Sequence, residues 1–277
     1  MNIQQLIQHA TQLLTGISDT AKADVEILLA HTLRKSRTFL YTWPQHEIDD
    51  AAKKQFEQYL AQRITGKPVA YITGEREFWS LNLQVTTDTL IPRPETELLI
   101  EHALRLLPET EIKIADLGTG SGAIALALAS ERPMWHITAT DQSAATLEIA
   151  HRNAQKPGLK NIRFVQGNWF EPLGNERFHA IISNPPYIPE NDIHLSQGDV
   201  RFEPAIALSS GHDGLDAIRH IVQHAPDYLL AGGLLMIEHG YDQKQDVKEI
   251  FQHNKFIKIE QLHDLGGNPR VTLGYKK

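Results

Sequence analysis

Lys113-Ile114-Ala115-Asp116-Leu117-Gly118-Thr119-Gly120-Ser121-Gly122 is the stretch on which the fold turns. Lys113–Leu117 is a short apolar run of strand length, and Ala123–Ser130 behind it is long, apolar and rich in helix formers. Between them, glycines permit backbone conformations closed to other residues and let a ligand approach the main chain. The helix N-terminus behind them offers unpaired N–H groups and the positive end of the helix dipole. Two readings of this local pattern remain open: a cradle for a ligand, or a tight strand-to-helix turn. Gly118, Gly120 and Ala123 also satisfy the dinucleotide pattern G-x-G-x-x-G/A, so the stretch alone does not name a ligand.

Outward from it, short apolar segments alternate with helical ones. Strands are expected at Lys113–Leu117, His136–Thr140, Ile162–Gln166, Ala180–Ser183, Leu234–Glu238, Lys258–His263 and Arg270–Tyr275. That alternation predicts an α/β fold with a mainly parallel sheet wrapped by helices. The last two segments leave no room for a crossover helix, so one of them is expected to run antiparallel to the rest. Upstream the texture differs. Val25, Leu28, Leu29 and Leu33 form one helical stripe behind a cap at Ser18 or Asp19, and Phe56, Tyr59, Leu60 and Ile64 form another between Asp49 and Gly66. Residues 1–75 are therefore expected to form a small helical bundle, and such stripes are ordinarily core. Residues 76–95 are expected to be a hairpin and linker, with Phe78–Val85 as the strand pair and Pro92 and Pro94 leading into a helix near Glu95. Residues 96–277 make up the sheet domain.

The 277 residues carry 27 Lys and Arg against 34 Asp and Glu, a formal charge of −7. Residues 1–75 hold eight of each sign, so neither part is basic. A protein that grips phosphate backbone needs a basic stripe, so nucleic acid is not expected as the main partner. There is no cysteine, which removes disulfides, thiolate metal sites and cysteine nucleophiles. The 14 histidines show no metal-ligand spacing: His220 and His224 stand at i, i+4 without the zincin pattern, and no metal is expected. The N-terminus lacks a basic and apolar leader, and the longest greasy run, Tyr228–Ile237, is about half the ~20 residues of a membrane span. The expectation is a cytoplasmic protein without a membrane partner.

Asp141 ends the strand after the glycine loop, where a carboxylate can accept from both hydroxyls of a ribose, although a helix cap is the competing role. Asn184-Pro185-Pro186-Tyr187 follows the Ala180–Ser183 strand. The Asn184 side-chain oxygen and the Pro185 carbonyl can converge on one NH2 group, the prolines stiffen the arrangement, and Tyr187 can pack against a planar group. Hydride transfer to a nicotinamide has no use for such a site, whereas methylation of a planar nitrogen does. An NAD-dependent oxidoreductase thus accounts for the loop and Asp141 only, and a non-catalytic binding module is the plainest alternative.

The run Asp116–Gly122, Asp141 and Asn184–Tyr187 together resemble the class I S-adenosylmethionine-dependent methyltransferases that modify amide or exocyclic nitrogens. Glu77-Phe78-Trp79, Ile91-Pro92-Arg93-Pro94-Glu95-Thr96-Glu97 and Gly198-Asp199-Val200-Arg201-Phe202-Glu203-Pro204 narrow the resemblance to the HemK family of protein-(glutamine-N5) methyltransferases, and it covers essentially the whole chain. It implies a Rossmann-like sheet, an N-terminal helical substrate-recognition domain and a β-hairpin connector, with S-adenosyl-L-methionine as cofactor. It further implies that Gly118, Thr119, Gly120, Ser121 and Gly122 line the methionine end of the cofactor, Asp141 holds the ribose and Trp169 lies against the adenine. Asn184 would touch cofactor and substrate, with Pro185, Pro186 and Tyr187 completing a glutamine pocket. Where the resemblance implies an acidic residue before Trp169 this chain has Asn168, whose amide oxygen can still accept from an adenine amino group. The implied substrate is the glutamine of a Gly-Gly-Gln segment in class I peptide chain release factors; a ribosomal-protein glutamine and an adenine of DNA are the alternatives. Arg93 and Glu97 either brace the pocket or form a surface ion pair, and Phe202 and Glu203 either sort substrates or pack.

Overall fold

The computed structural model describes residues 1–277, which divide into two compact units. The first contains Met1–Glu75 together with Gln197–Phe202. Its helices are α1 (Ile3–Leu14), α2 (Ala21–Leu33), α3 (Arg37–Thr42), α4 (Asp50–Ile64) and α5 (Val69–Thr73). The expected stripes form its core: Val25, Leu28, Leu29, Phe56 and Leu60 are buried with Ile3, Leu6 and Leu14. Ile64, at the end of its stripe, is exposed. Asp49 caps α4 by accepting from the Ala52 N–H at 2.8 Å. The expected cap of α2 is not formed at Ser18 or Asp19. The helix starts behind Thr20 without a side-chain cap; the Ser18 oxygen accepts from the Thr20 N–H at 3.1 Å, and the Ser18 and Thr20 hydroxyls donate to the Asp24 carboxylate at 2.7 and 2.9 Å.

Asp24 is in turn gripped by Arg63, whose Nε reaches its Oδ2 at 2.7 Å. The same guanidinium reaches Asp199 at 2.8 Å and the carbonyls of Gly66 and Lys67 at 3.1 Å each. Arg201 adds a bond to the Thr65 carbonyl and lies over the Phe202 ring. These contacts bind Gln197–Phe202, within the range expected for the sheet domain, into the helical unit.

The second unit, Arg76–Ser196 with Glu203–Lys277, begins at a hairpin of β1 (Glu75–Phe78) and β2 (Leu81–Gln84). Its turn, Trp79-Ser80, has both residues at positive φ, 49° and 59°, as a two-residue hairpin with strand-compatible twist requires. The Glu97 carboxylate accepts from the Trp79 N–H at 3.0 Å, and Glu131 from its indole N–H at 2.8 Å, which holds this strained turn in place. A short 3-10 turn at Pro94–Thr96 leads into α6 (Glu97–Leu106).

The remaining elements are β3 (Ile112–Leu117), α7 (Ala123–Glu131), β4 (Trp135–Asp141), α8 (Ala144–Gln155), β5 (Ile162–Gln166), β6 (Phe178–Ser183), α9 (Asp216–Tyr228), β7 (Leu229–Glu238), α10 (Lys244–His253), β8 (Ile257–His263) and β9 (Pro269–Tyr275). They form one seven-stranded sheet in the order β5-β4-β3-β6-β7-β9-β8, with β9 the antiparallel member. All seven expected strands are present. The strands alternate in period two between two apolar layers. Ile114, Ile182 and Met236 face α6 and α7; Ala115, Ile181 and Leu235 face α9 and α10. Strand order reverses between β3 and β6, the crevice where α/β sheets bind ligands.

Candidate active site

A cavity of about 310 Å³ opens at that crevice. Its wall includes Gly118, Thr119, Gly120, Ser121, Asp141, Asn168, Trp169, Asn184 and Pro186. The glycine loop is tied to the end of β4: the Thr140 carbonyl accepts from the N–H groups of Gly118 and Thr119 at 2.9 Å each. Gly118 has φ +70°, and a Cβ there would stand 3.1 Å from the Trp169 ring. Gly120 has φ +58° and open space where a Cβ would be, so the loop's main chain borders the cavity. Gly122 is not in the wall; a Cβ there would strike Leu126 and Ala150, so its smallness serves helix packing.

Asp141 is half-buried. Its Oδ2 accepts from the Gly120 N–H and its Oδ1 from the Ser143 N–H, both at 3.0 Å. Burial raises its carboxyl pKa, and these backbone donors oppose the rise. Each carboxylate oxygen retains further acceptor capacity, so bracing the loop leaves Asp141 able to bind hydroxyls. Trp169 adopts φ +47°, with its carbonyl held by the Thr140 hydroxyl at 3.1 Å, and this backbone turn brings its ring beside Gly118.

Asn184 stands at the C-terminal end of β6. Its Nδ2 donates to the Thr96 hydroxyl oxygen at 3.1 Å, leaving the Oδ1 as the free polar atom of a cavity residue. Pro186 lines the cavity with it, whereas Pro185 is buried and Tyr187 turns away. The Tyr187 hydroxyl donates to Glu238 at 3.3 Å, and burial raises its pKa, so it remains a neutral donor. Glu203 is a buried bracket: one oxygen pairs with Arg93 and the other accepts from the Ile91 N–H at 3.0 Å, fixing the Pro-Arg-Pro segment beside Pro204 in the cavity wall. Arg93 thus braces the pocket, while Glu97 serves the hairpin turn instead.

Two buried carboxyls stand near the cavity: Asp116, at the head of the glycine-loop run but given no role of its own by the sequence, and Glu238, which belongs to no motif. Asp116, at the end of β3, is fully buried and pushed up to about 7 by desolvation, with the Thr119 hydroxyl donating to it at 2.6 Å and opposing the rise. Glu238, at the end of β7, is likewise pushed up to about 7 by burial, against the hydroxyls of Thr96 and Tyr187. Neither side chain lines the cavity; Asp116 adjoins it through Thr119 and Glu238 through Thr96. Both lie at strand C-termini, and that placement is the sequence signal that could have found them. No group of histidine and acidic side chains is arranged to hold a metal, and no helix is long and apolar enough to cross a membrane.

Residues 5–74 match the family described as PrmC N-terminal domain, and residues 94–205 match the methyltransferase small domain. A release factor glutamine methyltransferase of Pseudomonas aeruginosa is 51% identical over 257 residues, 93% of each chain. One of Coxiella burnetii is 46% identical over 274 residues, 99% of this chain and 98% of that one. Among solved structures, a methyltransferase from Pyrococcus furiosus is 17% identical and superposes with a TM-score of 0.55 over 79% of this chain and 98% of that chain, which shows the shared fold. The sheet is therefore that of the class I methyltransferases, and from near full-length identity with these relatives the chain belongs to the release factor glutamine methyltransferase family.

Proposed function

We propose that this protein transfers a methyl group from S-adenosyl-L-methionine to the side-chain amide nitrogen (N5) of the glutamine in the Gly-Gly-Gln segment of class I peptide chain release factors. The observation that carries the reading is the orientation of Asn184: with its Nδ2 engaged by Thr96, the group it offers at the cavity wall is an acceptor, suited to an N–H of a substrate amide. The release factor as substrate is supported by the function of the relatives, which match almost the whole chain.

The cavity's residues fit the cofactor. The open space at Gly120 and the close approach of Trp169 to Gly118 leave a main-chain cradle beside an aromatic face. Asp141 stands at the strand end with acceptor capacity for a ribose. When bound, S-adenosylmethionine supplies an electrophilic methyl group on a sulfonium sulfur. Carboxylates at Asp141 and Asp88 in the cavity wall favour a cationic ligand.

A glutamine amide nitrogen is a poor nucleophile because its lone pair is delocalised, so the protein's task is alignment within about 3–3.5 Å of the reacting carbon. Asn184 holds an amide hydrogen through its oxygen, and that interaction strengthens as positive charge develops on nitrogen, so it favours the transition state over the ground state. The proton becomes strongly acidic after transfer, and no dedicated base is needed. The buried Pro185 and the cavity-lining Pro186 stiffen the segment that carries Asn184. We assign the helical unit to contact with the body of the release factor.

Intact-mass analysis of unmethylated release factor, incubated with the protein and S-adenosylmethionine beside a variant with the target glutamine changed to alanine, tests the reading. One added methyl group, absent from the variant, is the expected result. Methylation of the variant, or none of either, would overturn it.

A further inference from the structure

Glu238 is 1% exposed, carries no ion-pair partner and has no part in the chemistry above. The register of β6 with β7 pairs Ser183 with Ile237, so Asn184 and Glu238 are the next residues on two neighbouring strands. Between their side chains stands Thr96, itself buried, from the 3-10 turn before α6. Its hydroxyl lies within interaction range of the Glu238 carboxylate, whose Oε2 is buried and has no other hydrogen-bond partner, and its oxygen accepts from Asn184 Nδ2 at 3.1 Å. Tyr187 donates to the same carboxylate from the other side.

Hydrogen-bond polarity runs in one direction along this chain. A hydroxyl has one proton, and an ionised carboxylate has only acceptors to offer. Glu238 therefore takes the Thr96 proton, Thr96 is left to accept, and the Asn184 amide must turn its NH2 toward Thr96. An amide has two nearly isosteric orientations, and only this one presents oxygen to the cavity.

We propose that Glu238 is a positioning residue which, through Thr96, fixes the Asn184 amide with Oδ1 rather than Nδ2 toward the substrate. This rests on the reading of Asn184 as acceptor for a glutamine N–H. Reversal of the chain would set the Asn184 NH2 against the substrate NH2, donor facing donor, with cofactor contacts unaltered.

Glu238→Gln tests it, because glutamine keeps the size of the side chain but presents an NH2 that donates to Thr96 and reverses the polarity. The expected result is a fall in kcat of about tenfold or more on release factor, with S-adenosylmethionine affinity by calorimetry within about twofold of wild type. Thr96→Val removes the relay atom at constant shape and should lower kcat similarly; Thr96→Ser should restore it. In the Thr96→Val background, Glu238→Gln should cost nothing further. Wild-type kcat in Glu238→Gln, or full additivity in the double variant, overturns the proposal. If Glu238→Gln does not fold, the Thr96 pair decides: loss in Val with recovery in Ser supports the relay, and unchanged kcat in Val overturns it. Failure of the functional reading is separate, since the wild-type enzyme would then leave the release factor unmodified.

Discussion

The helical unit and the sheet unit both bury carboxylates, and, apart from the Glu203–Arg93 pair of the sheet unit, they surround them differently. In the helical unit burial is answered by pairing. Arg63, 5% exposed, satisfies Asp24 and Asp199 and two carbonyls at once. Glu26, 1% exposed, is raised by burial, but Tyr41 and Arg37 overcome this and hold its pKa below the ordinary value. In the sheet unit Asp116 and Glu238 are met by hydroxyls and not by ion pairs, and both are pushed up to about 7. Paired charge fixes a structure; unpaired buried charge keeps a proton affinity near neutrality and gathers at the strand ends where the cavity opens. Burial alone therefore does not separate scaffold from site, and the partner does.

Breaking the pairing in the helical unit should have the largest effect. Arg63→Met leaves Asp24 and Asp199 without the guanidinium they share and should cost about 3–5 kcal/mol in a denaturant titration; a loss below about 1 kcal/mol would mean that water replaces the guanidinium. Asn184→Ala should reduce methyl transfer by about 10²-fold or more while leaving cofactor affinity intact, and equal loss of both would make Asn184 a cofactor ligand only. Asp141→Ala should weaken S-adenosylmethionine binding by about 10–100-fold, the worth of charge-assisted hydrogen bonds, and unchanged affinity by calorimetry would remove it from the ribose.

The smallest effect sharpens the comparison through pH. Burial pushes the Glu238 carboxyl up to about 7 among Thr96, Tyr187, Arg270 and Glu95, beside a His239 whose pKa burial lowers. Its carboxyl pKa is raised, so the charged form that orients Thr96 is present above pH 7 and lost below it. Between pH 8 and 6, kcat should fall about tenfold, and Glu238→Gln should flatten that limb. A wild-type profile flat across this range would detach Glu238 from turnover.

What the sequence disclosed follows the range of each interaction. The glycine loop, the strand alternation and the Asp49 cap are local, so adjacent residues specify them. Asn184 stands out in the sequence because its proline neighbours are adjacent in the chain, and it lies in the cavity wall. The Thr96–Asn184–Glu238 set was not legible, because the turn before α6 and the ends of β6 and β7 are far apart in sequence and meet only in the tertiary fold. Tyr187, adjacent in sequence to the cavity-lining Pro186, donates its hydroxyl to Glu238, a partner 51 residues away that no local pattern announces. The cap of α2 falls at Thr20 and not at Ser18 or Asp19, with the Ser18 oxygen accepting from the Thr20 N–H outside the helix.

Gln197–Phe202 belongs to the helical unit although 121 residues separate it from Glu75. The unit is thus not a prefix that recombination can exchange as one contiguous block. A crossover between relatives near residue 75 would transplant Arg63 while leaving Asp199 and Arg201 of the other parent behind. Chimeras that inherit both segments from one parent should survive where those splitting them do not, so the two stretches are a single heritable module written in two places.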